Sequence, residues 1–409
     1  MLLESIFNKL RWSLRKNAPE ARALLISAYP DFILSSRPSS LRDQIPVFYL
    51  HSVEPISFEK QLQFLRQNRY QTLDADEFRA AIAGETPVPD RSILLTFDDG
   101  TASLWTVAFP LLGKYGFRAV SFIIPGCISD KAPDSPTLLE YEKGRVSLTA
   151  LLAREKGLNP FCSWEEITEM HATGLIDFQS HTMYHHSTFV SPRLVDFLHP
   201  NYDRGLSNFN IPVCRFRRNL DFTRNPPLGT PLYRFEPRTV GRPEYFDPET
   251  VRAACVDFVL TQGGTEFFTH KNWRQQLYRV YCEVSRNCNN RQYESMAEMT
   301  KAIFEDFLQS KRLIEKHLPG KTVDHLCYPW FMGSKISVAQ SQRVGYRVNY
   351  WGTLSSSNTN QQGSDLFSVA RIDSEYIYRL PGNGRKSLRK TLSTKVKKNI
   401  PGFFSRLRN

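Results

Sequence analysis

From residue 45 to about 187, short apolar runs alternate with amphipathic stretches, the pattern of strands buried on both faces and joined by helices. The run 45–50 (IPVFYL) reads as a first buried strand ending at His51. Ser57 precedes FEKQLQFLRQNR, whose apolar positions recur at helical spacing, and Ser57 is the expected N-cap. Residues 74–82 read as a second short helix, and 92–97 (SILLTF) as a strand apolar almost throughout. A helix over 102–115 then leads into a strand at 119–124 (AVSFII). Ser163-Trp164-Glu165-Glu166 has the form of a capping box opening a helix to about His171, and 176–179 forms another short strand. This rhythm predicts an α/β architecture, a (β/α) barrel or a distorted one.

The rhythm breaks after Ser187. To about Met296 the chain is rich in Arg, Asn, Pro and aromatics, yet it keeps helical apolar patterns at 251–260 and 273–284. A structureless loop of that length is improbable inside a compact domain, so 188–296 is expected to be a structured insertion. The α/β pattern then resumes: a helix over 299–317, a strand at 325–328, a helix at 336–344 and a strand at 346–351. The expected organisation is a basic amphipathic segment (1–43), a catalytic domain (44–380) interrupted by the insertion, and a basic tail (381–409).

Composition narrows the class. Of 409 residues, 41% are hydrophobic and 12% aromatic, which fits a globular enzyme and excludes a disordered chain. No apolar stretch approaches the roughly 18 residues a spanning helix needs, and the N-terminus lacks an apolar signal core. The seven cysteines are scattered, with no CxxC pair, as free thiols in a reducing compartment would be. The expected location is the cytoplasm.

The net charge of +12 matters through its placement. From Arg385 to Asn409 there are nine Lys or Arg and no acid. Near the other end Leu2, Leu3, Ile6, Phe7, Leu10 and Leu14 recur at helical spacing among Lys9, Arg11, Arg15 and Lys16. Basic residues beside an apolar stripe suit an anionic membrane surface, although a solvated tail and a helix docked on the core would look the same. No nucleic-acid motif accompanies the charge, so no specific nucleic-acid partner is expected.

The candidate chemistry begins with Asp98 and Asp99 at the end of a predicted buried strand, where barrels carry their active-site loops. Neighbours on an extended segment point in opposite directions, so one carboxylate can bind a metal while the other stays free as a base. Gly100 lets the chain turn away. A DDG at a strand end also serves turns and caps. His181 and His185, four apart after another short strand, bring two imidazoles to one side of a turn. Two histidines with one aspartate leave coordination positions open, as a catalytic metal requires. His186 points elsewhere and is read as packing or supporting.

These residues sit inside longer motifs. LLTFDDGTAS followed by AFPLLGKYGFRAVSFIIPG resembles the first signature of the polysaccharide deacetylases (carbohydrate esterase family 4, the NodB homology domain). WEEITEMHATGLIDFQSHTMYHH resembles their second signature, and the helix, HLCYPW and GYR series resembles the third. IPVFYLHSV with FEKQLQFLRQNRYQTL resembles the family's lead-in strand and helix. The similarity covers roughly 44–187 and 298–380, and it implies a distorted (β/α) barrel of the polysaccharide deacetylase type carrying a large insertion.

The resemblance implies Asp98 as general base and Asp99, His181 and His185 as ligands of a divalent metal, Zn2+ first, with Co2+, Ni2+ or Mn2+ as alternatives. Pro329 and Trp330 would line the groove, the Trp330 backbone N–H helping to hold the oxyanion. Arg371 resembles a late arginine that orients the base; a salt bridge elsewhere is the other reading. The implied activity is hydrolysis of an N-acyl, chiefly N-acetyl, group from an amino sugar in a polysaccharide or lipid-linked glycan. The expectation is a cytoplasmic enzyme acting on such a glycan at the inner membrane surface, to which the basic ends are suited; the alternative is a non-catalytic glycan- or lipid-binding protein on this scaffold. Two departures stand out. Cys327-Tyr328-Pro329 occupies the place of the third signature's usual arginine, and no histidine follows His325 to serve as the late acid. His51 and His325 stay open for that role, and Tyr184, Tyr233 and Asp177 are further candidates.

Overall fold

The structure is a computed structural model that describes residues 18–38, 40–41, 43–131, 133–157, 159–216, 219–288 and 292–399. The amphipathic stripe from Leu2 to Leu14 and the tail's last ten residues fall outside them. In chain order the strands are β1 (Val47–Leu50), β2 (Gln71–Thr72), β3 (Ser92–Asp99), β4 (Ala119–Ile123), β5 (Ile176–Ser180) and β6 (Ser187–Phe197). Then come β7 (Cys214–Phe216), β8 (Asn219–Asp221), β9 (Pro231–Pro237), β10 (His325–Cys327), β11 (Val348–Tyr350) and β12 (Ile372–Asp373). The chain divides into two compact units: one comprises Ala18–Met183, Leu308–Phe331 and the residues from Gly345 on, the other Tyr184–Phe307 and Met332–Val344.

The first unit is built on a parallel sheet in the order β11-β10-β5-β4-β3-β1-β12, with β2 also pairing with β3. Every residue of β3 and β4 is buried, as expected of strands covered on both faces. The sheet curls until one segment meets both edges. Val369 exchanges hydrogen bonds with Asn349 and Trp351 beside β11 (3.1 and 2.9 Å), while Ile372 and Asp373 pair with Phe48 and Tyr49 of β1. The result is the distorted (β/α) barrel that the alternating pattern predicts. A core of Val47, Phe78, Leu94, Val120, Phe122 and Val348 fills one side of the sheet.

Local chemistry moved some boundaries. The helix after β1 spans Pro55–Gln67 and is capped by Glu54, whose carboxylate accepts from the N–H groups of Ile56 and Ser57, so Ser57 lies inside it. Pro55 explains the shift: its missing N–H and fixed φ suit a first helical turn. The helix expected over 102–115 opens with a π turn, Leu104–Ala108, before the α-helix Phe109–Tyr115. It widens just before Pro110, which has no N–H for the regular ladder. The capping box at Ser163 and Glu166 forms in both directions.

The second unit has its own core. β6 and β9 form an antiparallel pair whose register shifts between Phe189 and Leu194, around Pro192, which cannot donate to the ladder. Two helices, Glu249–Thr261 and Trp273–Ser285, bury Val251, Cys255, Val259 and Leu277. Arg238 and Glu294, both buried, form a two-bond ion pair at 2.5 and 2.7 Å. The helix Lys335–Val344 belongs to this unit, which Thr239 ties to Met332 and Ser334. No described helix is long and apolar enough to cross a membrane.

Candidate active site and metal centre

The C-terminal ends of β3, β5, β10 and β1 gather the chemistry of the first unit. Asp98 and Asp99 close β3, side by side and buried. Gly100 then turns the chain with φ 70°, and a Cβ there would meet the Ile123 side chain at 2.8 Å. Asp99 itself adopts a left-handed φ of 69°, uncommon without glycine, so the two carboxylates leave the strand in different environments.

Asp98 meets Arg371. The guanidinium donates from Nη1 to Oδ1 at 2.6 Å and from Nη2 to Oδ2 at 2.8 Å. Its Nε donates to the Trp351 carbonyl at 2.9 Å, and Nη1 also reaches Thr96 Oγ1 at 3.1 Å. Tyr49, Phe122 and Phe331 surround the fully buried cation, their ring centres 5.5 to 5.8 Å away. Burial alone would push the Asp98 carboxyl up, but the Arg371 charge and its hydrogen bonds outweigh that and hold it down at about 2. The group is therefore a fixed, ionised acceptor. His51, just past β1, places Nε2 3.9 Å from Asp98 Oδ2.

His181 follows β5 and is fully buried. Its Nδ1 lies 2.9 Å from the carbonyl of Cys327, the last residue of β10. A carbonyl only accepts, so Nδ1 carries the proton and Nε2 keeps the lone pair. That nitrogen lies 3.5 Å from Asp99 Oδ1. Burial is the main reason the imidazole is held down at about 4, which makes it neutral at neutral pH. A neutral imidazole with its far N–H fixed by a carbonyl, facing a carboxylate oxygen, is the chemistry a divalent ion needs. His185 stands four residues on, in the second unit, buried with φ 45° and stacked on Phe209 at 4.4 Å between ring centres.

Of the other candidates, Pro329 and Trp330 form a turn straight after β10, Pro329 buried and Trp330 at φ 51°. His325 opens β10 rather than following it. Its ring is buried, with Nδ1 3.0 Å from the Tyr350 hydroxyl, so it serves the opposite end of the sheet. Asp177 pairs with Lys321 at 2.5 Å. Tyr184 is stacked on Phe222, and Tyr233 lies within the second unit's core. His186 is buried, 3.8 Å from Asp306. Sequence reading missed Tyr49 and Phe331 around Arg371, and the Cys327 carbonyl that sets the His181 tautomer. Only the last had a signal, since a strand-end backbone group beside a ligand histidine is a common support.

The family model for polysaccharide deacetylases matches residues 85–199. Over 135 residues the chain is 30% identical to the poly-β-1,6-N-acetyl-D-glucosamine N-deacetylase of Escherichia coli (strain K12), covering 33% of this chain and 18% of that protein. Over 132 residues it is 26% identical to the enzyme of the same name from Staphylococcus aureus (strain MSSA476), covering 32% and 37%. This chain thus spans well under half the length of these relatives. A de-N-acetylase structure from Aggregatibacter actinomycetemcomitans aligns over 81% of this chain and 96% of that one, at 18% identity and a TM-score of 0.48. The deacetylase match contains Asp98, Asp99, His181 and His185; Arg371, Cys327, Pro329 and Trp330 lie outside it and stand on geometry alone.

Proposed function

We propose that this chain hydrolyses the N-acetyl group of an amino sugar in a polysaccharide or lipid-linked glycan. Asp98 is the general base, Asp99, His181 and His185 hold a divalent metal, Zn2+ before Co2+, Ni2+ or Mn2+, and His51 is the general acid. The reading is carried by one observation: Asp98, kept ionised by Arg371, sits between the His51 imidazole and the Asp99–His181 pair. The polymer named for the E. coli and S. aureus relatives supports an N-acetylated glycan as the substrate class.

The bound ion would supply Lewis-acid polarisation of the amide carbonyl and of water. Asp98 takes the proton that the attacking water releases as its oxygen bonds to the carbonyl carbon. Arg371 holds Asp98 in place through both oxygens, so the proton is received at a lone pair left uncovered. His51, partly exposed beside Asp98, gives a proton to the nitrogen as the C–N bond breaks, and acetate and a free amine leave. The Trp330 N–H and Pro329 line the acyl side in this reading. The basic tail and the N-terminal stripe favour a substrate presented at an anionic inner membrane surface.

The test is acetate release from an N-acetylglucosamine oligomer by wild type, Asp98→Asn and His51→Ala. Asp98→Asn is expected to lose activity by two to four orders of magnitude while keeping its metal content. Undiminished release from Asp98→Asn would sink the mechanism. A wild-type protein that binds the oligomer without turnover would favour the binding-protein alternative.

A further inference from the structure

The turn carrying His185 is gripped by the inserted segment through four consecutive carbonyls. Arg224 Nη2 donates to the Tyr184 carbonyl and, at 3.1 Å, to that of His185. The Arg238 N–H donates to the His186 carbonyl at 3.1 Å, and the Val213 N–H to that of Ser187 at 2.9 Å. The rings repeat the grip. Phe209 carries the His185 imidazole at 4.4 Å and the Arg224 guanidinium at 4.8 Å, and Phe222 stacks on Tyr184 at 3.9 Å.

The backbone here is strained at both ends of one contact. His185 has φ 45° and Arg224 φ 52°, left-handed conformations that cost non-glycine residues roughly 1–2 kcal/mol each. Such conformations persist only where the surroundings over-determine them. Arg224 is also 2% exposed, and a buried arginine is costly unless its donors are used. Stability alone offers little reason to bury a strained arginine against the carbonyl of a strained histidine.

We infer that Arg224 is a positioning residue: with Phe209 it locks the His185 turn so that the imidazole is held ready for the metal. Arg224 and Phe209 thereby take part in presenting His185, which lies in the same unit as they do. This rests on His185 being a ligand, as proposed above. Arg224 fixes the main chain and Phe209 fixes the ring plane, so a ligand on a four-residue tether after His181 loses little freedom on binding.

The test measures Zn2+ affinity of the full chain by chelator competition, and the visible absorption of the Co2+-loaded protein. Arg224→Met should weaken Zn2+ binding by about 10- to 100-fold, the usual effect of losing a residue that supports a ligand, and should change the Co2+ spectrum. Arg224→Lys should recover part of that loss. Arg252→Met is the control, since Arg252 is equally buried in the same unit, pairs with Asp247 and packs over Phe216. It should lower the melting temperature and leave Zn2+ affinity unchanged. Should Arg224→Met fail to fold, Phe209→Leu carries the test, with a smaller loss in the same direction. Wild-type affinity in these variants, alongside weakened binding in His185→Ala, overturns the inference but spares the metal site. Wild-type affinity in His181→Ala and His185→Ala overturns both.

Discussion

One sheet carries two clusters of acid and histidine, one at each end of its strands. At the C-terminal ends of β3 and β5 lie Asp98, Asp99 and His181, and at the start of β10 lie Asp324 and His325 with Asp76; the donor atoms of Asp98, His181 and Cys327, and those of Asp76, Asp324 and His325, lie within 4.8 Å of one another. By residue type either could be a metal site. Their neighbours differ. Arg371, the cation beside the first cluster, is consumed by two hydrogen bonds to Asp98, with Asp99 facing a neutral imidazole. The second cluster sits among Lys321, Arg347, Arg79 and Lys311, whose charges reach Asp324 or His325. Burial pushes the Asp324 carboxyl up and the His325 imidazole down, and the surrounding cations already serve the acids. A divalent ion would enter against several fixed positive charges. The comparison teaches that donor types nominate a site and the nearby counter-charges decide it, in line with barrels that keep chemistry at the C-terminal strand ends and stability at the other.

The comparison breaks most directly through turnover. Asp98→Asn should reduce acetate release about a thousandfold, whereas Asp324→Asn should leave turnover per folded molecule within about twofold. Comparable losses from both would erase the distinction between the two ends.

Arg371→Met comes next. Removing one partner of a buried pair leaves an uncompensated charge, at a cost of about 3–5 kcal/mol. The pH dependence should reverse as well. In the wild type the Asp98 pKa is depressed to about 2, so its contribution is present above the unfolded value and lost as pH falls through about 2. That shift corresponds to roughly 2–3 kcal/mol. Without Arg371, burial dominates and raises the pKa above the unfolded value. Stability is then greatest at low pH and falls as pH rises. Urea midpoints of metal-stripped protein between pH 3 and 8 read the difference, and parallel curves for the two proteins would count against it.

How much of this the sequence carried follows from how far apart the partners are. Strands β3 and β4 announce themselves because burial on both faces makes them apolar throughout. Asp98 and Asp99 are consecutive, and His181 and His185 lie four residues apart after β5, so local spacing names the donor set, although left-handed φ values at Thr182 and His185 replace the expected helical turn. Arg371 reaches Asp98 across 273 positions, brought there by a segment that closes the barrel between β11 and β1. No periodicity encodes such a closure; only the family resemblance pointed to it. Strand polarity separates the two open candidates for the acid. His51 follows β1, and His325 begins β10. The division of the chain was less legible, because the helix Lys335–Val344 continues the α/β rhythm in sequence yet packs with the inserted unit.

A moderate effect tests the structural side. His325→Leu keeps the volume roughly constant and removes the Nδ1 partner of the fully buried Tyr350 hydroxyl. Stranding that hydroxyl should cost about 1–3 kcal/mol in urea unfolding, with the Zn2+ content of the folded protein unchanged. Loss of bound metal instead would mean that the lower cluster is a metal centre.

The smallest expected effect separates the two clusters most finely. Asp76 is exposed, in the first turn of the helix Ala75–Ala83, while its cluster partners are buried. If the cluster served only to neutralise the surrounding cations, Asp76 would be its most expendable member. Water screens it, and Asp324 lies closer to the buried histidine, at 3.5 Å. Asp76→Asn should then change stability by no more than about 0.5 kcal/mol, as most exposed substitutions do. Its like-charge repulsion with Asp324 even favours a slight gain, because Asp76 helps to push the Asp324 carboxyl up. A metal ligand would behave in the opposite sense: acids around an ion tolerate one another only while the ion is present, so losing one weakens binding. Thermal melts of Asp76→Asn with and without added Zn2+ distinguish the two. A Zn2+-dependent rise in melting temperature that survives His181→Ala and vanishes in Asp76→Asn would place a second ion at the lower end and overturn the contrast.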